Sequence, residues 1–90
     1  MNVEDFFSSR LRMKILKTLF QVGEFNGSEI ARKLGVNYVT ARKNLNLLEA
    51  EGVLTHITYG RIRLYRLNEQ SPKTKAIETL IEAWEQANKP

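Results

Sequence analysis

The 90-residue chain has no cysteine, two prolines and one histidine. Lacking cysteine, it can form neither disulfides nor thiolate metal sites, and the reducing cytoplasm is its natural compartment. A lone histidine cannot close a zinc site, so His56 reads as an ordinary strand residue, and no metal or other cofactor is expected. No apolar run is long enough to span a bilayer. The opening residues, MNVEDFFSSR, place acidic groups where a secretory signal needs positive charge. Neither an internal repeat nor a low-complexity tract nor a Pro/Gly/Ser linker marks a second domain. No acid–base couple, activated nucleophile or phosphate loop stands out, which argues against an enzyme.

What is present fits one small folding unit. With 42% apolar residues the chain can bury a single core, although a core of this size is marginal and oligomerisation would help it. The net charge of +4 is unevenly placed. Met1 to Glu29 is neutral and Asn68 to Pro90 sums to −1, whereas Ile30 to Leu67 carries +5, from Arg32, Lys33, Arg42, Lys43, Arg61, Arg63 and Arg66 against Glu49 and Glu51. Basic charge gathered in the middle of a chain points to a polyanionic partner.

Hydrophobic spacing divides the chain into short elements. Leu11, Ile15, Leu16, Leu19 and Phe20 predict an amphipathic helix over Ser9 to Val22, ended by Gly23, with Asn2 and Asp5 able to start it earlier. Phe25 follows as a short extended piece that drops its ring into the core. Asn26 and Glu29 have the spacing of a capping box for a second helix that buries Ile30, Ala31 and Leu34 and stops at Gly35. Asn37 caps a third helix, Tyr38 to Glu51, closed by Gly52. The Gly35, Val36, Asn37 connection has helix-turn-helix spacing.

Beyond Gly52 the pattern is β-rich. Gly60 and Arg61 fit a two-residue type II′ hairpin turn that pairs Tyr59 with Ile62, Ile57 with Leu64 and Thr55 with Arg66. Both hairpin faces carry apolar residues, so alternation leaves open which covers the core. Tyr65 is expected to pack as wing core, and Glu49 and Glu51 to make surface pairs at the end of the third helix. Ser71 and Pro72 open a last helix, to about Asn88, with a stripe of Ile77, Leu80, Ile81, Trp84 and Ala87.

The third helix carries the functional signal. Ala41, Leu45 and Leu48 share a narrow buried arc, and Val39, Arg42, Lys43 and Asn46 are read on the opposite one. Those side chains suit a major groove, where Arg pairs with guanine, Asn with adenine and Val touches a thymine methyl. The Asn37 cap could also present N–H groups to a phosphate.

Three strings carry a family resemblance: RLRMKILKTL, SEIARKLGVNYVTARKNLNLLEAEGVL and GRIRLYRL. Together they resemble the winged helix-turn-helix of bacterial and archaeal transcription regulators, particularly the ArsR and MarR groups, over Arg10 to Leu67. The resemblance implies a mainly α fold with a small β-hairpin wing, a three-helix core plus a C-terminal helix. It also implies double-stranded DNA as partner, with base contacts from Tyr38, Val39, Arg42, Lys43 and Asn46, and backbone or minor-groove contacts from Arg61 and Arg63. Metal-sensing ArsR members use cysteines in the recognition region, so a thiolate sensor is excluded here.

The expected organisation is a DNA-binding unit over residues 1–70 and a C-terminal helix over 71–90. That helix is assigned to a homodimer contact through Ile77, Leu80, Ile81 and Trp84; the alternative is packing against the first helix beside Phe6 and Phe7. The expected function is transcription regulation in the cytoplasm, at the nucleoid, without membrane attachment. An architectural DNA protein of low specificity and a winged-helix protein-interaction module are the rival readings.

Overall fold

The computed structural model describes all residues from Met1 to Pro90. Its elements follow in the order α1 (Val3–Phe6), α2 (Arg10–Val22), β1 (Phe25–Asn26), α3 (Gly27–Leu34), α4 (Tyr38–Ala50), β2 (Leu54–Tyr59), β3 (Ile62–Leu67) and α5 (Pro72–Ala87). Asn2 does not extend the first long helix. It caps a separate single turn, accepting from the Asp5 N–H at 2.8 Å, and Ser9 then caps α2 through the Arg12 N–H at 3.1 Å. Arg12 ties the two together, its guanidinium donating to the carbonyls of Asp5 and Phe6.

Helices α2, α3 and α4 pack around Ile15, Leu16, Leu19, Ile30, Leu45 and Leu48, all buried. Burying a leucine or isoleucine of this kind contributes about 1.5–3 kcal/mol. The capping box at α3 is complete: Asn26 accepts from the Glu29 N–H, and the Glu29 carboxylate accepts from the Asn26 N–H. At its other end Val36 N–H reaches Ala31 O and Gly35 N–H reaches Arg32 O. That arrangement needs a left-handed residue, and Gly35 supplies it at φ 68°. Helix α4 ends one residue earlier than the sequence predicts, at Ala50, in the same bonding pattern through Gly52 and Val53.

The sheet is three-stranded and antiparallel in the order β1-β3-β2, with Phe25 opposite Tyr65 and Asn26 opposite Leu64. Hairpin register matches the sequence reading, from Tyr59↔Ile62 to Thr55↔Arg66. Gly60 alone in the turn has positive φ, 58°, as a type II′ turn requires. Contact with the core decides the face left open by alternation: Leu54, Tyr65 and Leu67 are buried in the core cluster, with His56 half-buried beside them. Ile57 and Leu64 stand half-buried on the other face, and Tyr59 and Ile62 at the tip are exposed.

One side-chain pair fastens the hairpin to α4. His56 Nδ1 on β2 lies 2.5 Å from Glu49 Oε2 on α4, and its ring leans on Tyr65 with centroids 5.8 Å apart. Glu51 is paired as well, with Lys73 and with the amino group of Met1. The hydrogen bond from that amino group, then the one from Lys73, hold the Glu51 carboxyl below its ordinary range.

The apolar stripe of α5 divides. Ile77 and Ile81 belong to the intramolecular core, and Phe6, Phe7, Ala76 and Ile77 line one cavity of about 220 Å³ between α1 and α5. Leu80 and Trp84 are exposed, Trp84 at 67%. Rather than packing into the core, Leu80 and Trp84 line a shallow groove with Ile81 against Arg10, Met13, Lys14 and Lys17 of α2. Ser71 occupies the cap position but makes no side-chain bond to the helix; buried Thr74 anchors α5 instead, donating to the Val53 carbonyl at 3.2 Å.

Two expectations follow. A double-mutant cycle of Glu49→Ala and His56→Ala in urea unfolding should give a coupling of about 0.5–1 kcal/mol, and additive losses would mean the pair does not hold the wing. Glu78 is held above the ordinary carboxylate range, first by burial and then by a hydrogen bond and charge proximity from Glu69. A carboxyl raised on folding supports the folded state below its unfolded pKa and withdraws that support as pH rises through its folded pKa. Glu78→Gln should therefore raise the melting temperature at about pH 7 and lose that advantage near pH 3.5. An equal effect at both pH values would contradict the assignment.

Candidate nucleic-acid interface

The exposed side of α4 follows from its buried side. Ala41, Leu45 and Leu48 are wholly enclosed, and at about 100° per residue Val39 and Lys43 stand roughly 160° from Ala41, with Asn46 about 140° away. All three are exposed, Val39 at 75%. Asn37 is exposed too, but its side-chain oxygen already accepts from the Thr40 N–H at 2.8 Å, which fixes the first turn.

Arg42 differs from the sequence reading. It stands only about 100° from Ala41, on the flank of the helix rather than opposite the core. Its side chain is half-buried and turned toward the wing, with Nη1 donating to the Tyr38 hydroxyl at 3.1 Å. The sequence-selected residues thus fall into two groups. Val39, Lys43 and Asn46 form an outward ridge, while Tyr38, Arg42, Arg61 and Arg63 surround a cleft of about 370 Å³ between α4 and the hairpin.

Gly27 and Ser28 at the start of α3 and Thr58 and Tyr65 of the hairpin also line the cleft. A methyl group at Gly27 would come within 3.2 Å of the Tyr38 ring, so glycine lets that ring lie close. No carboxylate lines the cleft. Arg42, Lys43, Arg61 and Arg63 make no ion pair, whereas Lys17, Arg66 and Lys73 each pair with a glutamate.

Two polar atoms at the cleft are buried without a partner, Arg42 Nε and Tyr65 Oη. The Tyr38 hydrogen bond first, and then the nearby Tyr65 phenol, hold the Arg42 guanidinium above its ordinary pKa. Sequence reasoning treated Tyr65 as packing alone and passed over Ser28. Nothing in a linear pattern says what stands opposite a strand hydroxyl, so only the fold could bring these groups to Arg42. No three His, Asp or Glu side chains converge anywhere as a metal site would require, and no helix is long and apolar enough to cross a membrane.

A family model described as an HTH domain matches residues 11–61. No match is found among curated proteins. Among solved structures, the transcriptional repressor BigR from Xylella fastidiosa superposes with a TM-score of 0.79 at 22% identity, over 97% of this chain and 84% of that one. HlyU from Vibrio cholerae gives a TM-score of 0.77 at 20% identity, over 91% and 86%. The homodimeric winged helix-turn-helix DNA-binding domain Mb0332 from Mycobacterium bovis gives 0.76 at 25% identity, over 98% and 79%. The matched segment runs from the start of α2 to the tip of the hairpin, and the superpositions add α5, so the chain has the winged helix-turn-helix fold of transcription regulators and belongs to the HTH domain family.

Proposed function

We propose that the chain is a transcription regulator that binds double-stranded DNA as a homodimer, in the cytoplasm and at the nucleoid. The observation that carries this reading is the set of unpaired cations, Arg42, Lys43, Arg61 and Arg63, placed on one exposed helix and the wing beside it. Unpaired arginines and lysines on one face suit a phosphate backbone. Val39, Lys43 and Asn46 enter the major groove and read base edges, and Arg61 at the wing tip meets phosphate or the minor groove. The repressor and the DNA-binding domain among its structural neighbours support the same role.

The dimer reading rests on α5 and on the homodimeric neighbour. Leu80 and Trp84 form its contact surface, with buried Ile77 and Ile81 as the layer beneath. Residues 1–70 then act as the DNA-binding unit and 71–90 as the element that joins two copies. Two-fold symmetry in the protein calls for an inverted repeat in the DNA, with half-sites about 10 base pairs apart or a multiple of that.

Selection from a random duplex pool at physiological salt tests the function. The expected result is an inverted-repeat motif bound roughly a thousandfold or more tighter than random DNA. Asn46→Ala should cost about 1–3 kcal/mol on that motif and relax preference at one position per half-site. Enrichment without a motif would favour an architectural protein, and no enrichment a protein-interaction module. Sedimentation tests the dimer: Trp84→Ala should weaken self-association, and a wild-type chain that is monomeric at micromolar concentration would refute it.

A further inference from the structure

We propose that the cleft between α4 and the wing is a binding site for one phosphate oxyanion, gripped by Arg42 and the Tyr65 hydroxyl on its inner side and by Arg61 and Arg63 around it. The source we infer is a DNA strand, which rests on the function proposed above; the site's chemistry does not. Arg42 then holds the backbone and positions the helix, and base reading falls to Val39, Lys43 and Asn46.

The first support is the Tyr65 hydroxyl. Tyr65 is 1% exposed, packed within the core cluster, and its Oη has no hydrogen-bond partner. A buried tyrosine normally satisfies its O–H, and phenylalanine would fill the same space without leaving a polar atom stranded. A hydroxyl kept at such a position is costly until a ligand meets it. The second support is Arg42 Nε, buried at the same cleft and also unpartnered.

The chemistry of the lining then selects the ligand. Arginine offers donors only, and the Tyr38 hydroxyl, already accepting from Arg42 Nη1, has its own proton left to give. Three arginines face the cleft without a carboxylate among them. Donors plus positive charge call for an anionic acceptor, and the planar guanidinium fork matches a phosphate oxyanion. Neither orphan atom touches bulk water. An anion must displace the Arg42 head group to reach them, and a single hydrogen bond to exposed Tyr38 holds that head group.

Tyr65→Phe isolates the hydroxyl while keeping the ring in the core. The variant should melt at or above the wild-type temperature; a lower melting temperature would mean that the hydroxyl already has a partner and would overturn the proposal. Two ligand arms follow, each at controlled ionic strength. In the first, inorganic phosphate is titrated into labelled protein while the Arg42 Nε–H resonance is followed. In the second, random and selected duplexes are bound across a salt series.

The expected result is that Tyr65→Phe weakens both duplexes by the same factor, about fivefold to tenfold. Arg42→Ala should also lower the magnitude of the salt slope by about one. A saturable phosphate shift lost in Tyr65→Phe, without duplex binding, would keep the site as one for a free anion and remove the DNA reading. Duplex binding unchanged by either substitution would keep the DNA reading and overturn the site. Arg42→Ala losses confined to the selected sequence would make Arg42 a base reader and also overturn it.

Discussion

Burial of Ala41, Leu45 and Leu48 is the constraint on which the rest of the molecule depends. These three side chains are fully enclosed, and because a helix is a rigid cylinder, fixing one face fixes where every other side chain points. Val39, Lys43 and Asn46 are exposed as a geometric consequence. Arg42 and Tyr38, one turn apart, are swung to the flank where the wing lies. The Gly35 turn and the Asn37 cap set where this helix begins, and therefore which residues occupy each face.

The wing is built on the same contact. Tyr65 sits in the core cluster with Leu45 and Leu48, and β1 pairs with β3 at that residue. His56 and Glu49 add a polar tie at the other end of α4. Helix and hairpin thus present their cations with a fixed spacing. An interface built on packed elements loses little conformational entropy when a ligand arrives.

Much of this was legible in the sequence because local chemistry determines it. The capping box at Asn26 and Glu29 and the Asn37 cap are local patterns, and the two-residue turn at Gly60 fixed the hairpin register. What failed to show was whatever depends on a neighbour distant in the chain. Alternation could not choose between the Tyr65 and Leu64 faces, since both carry apolar residues, and contact with α4 and the rest of the core decides it. The α5 stripe read as one surface, yet Ile77 and Ile81 are buried while Leu80 and Trp84 are exposed. Arg42 was placed with the outward arc although its angle from Ala41 already set it on the flank, and its unpartnered Nε became visible only with the hairpin in place.

The central claim is that α4 and the wing form one cationic face for duplex DNA. Its most direct measurement is the affinity of the wild-type chain for a random-sequence duplex across a salt series. A cationic face of this kind predicts that log K falls linearly with log salt, by about 0.9 for each phosphate neutralised. A slope near zero, or no binding at low salt, would contradict the account.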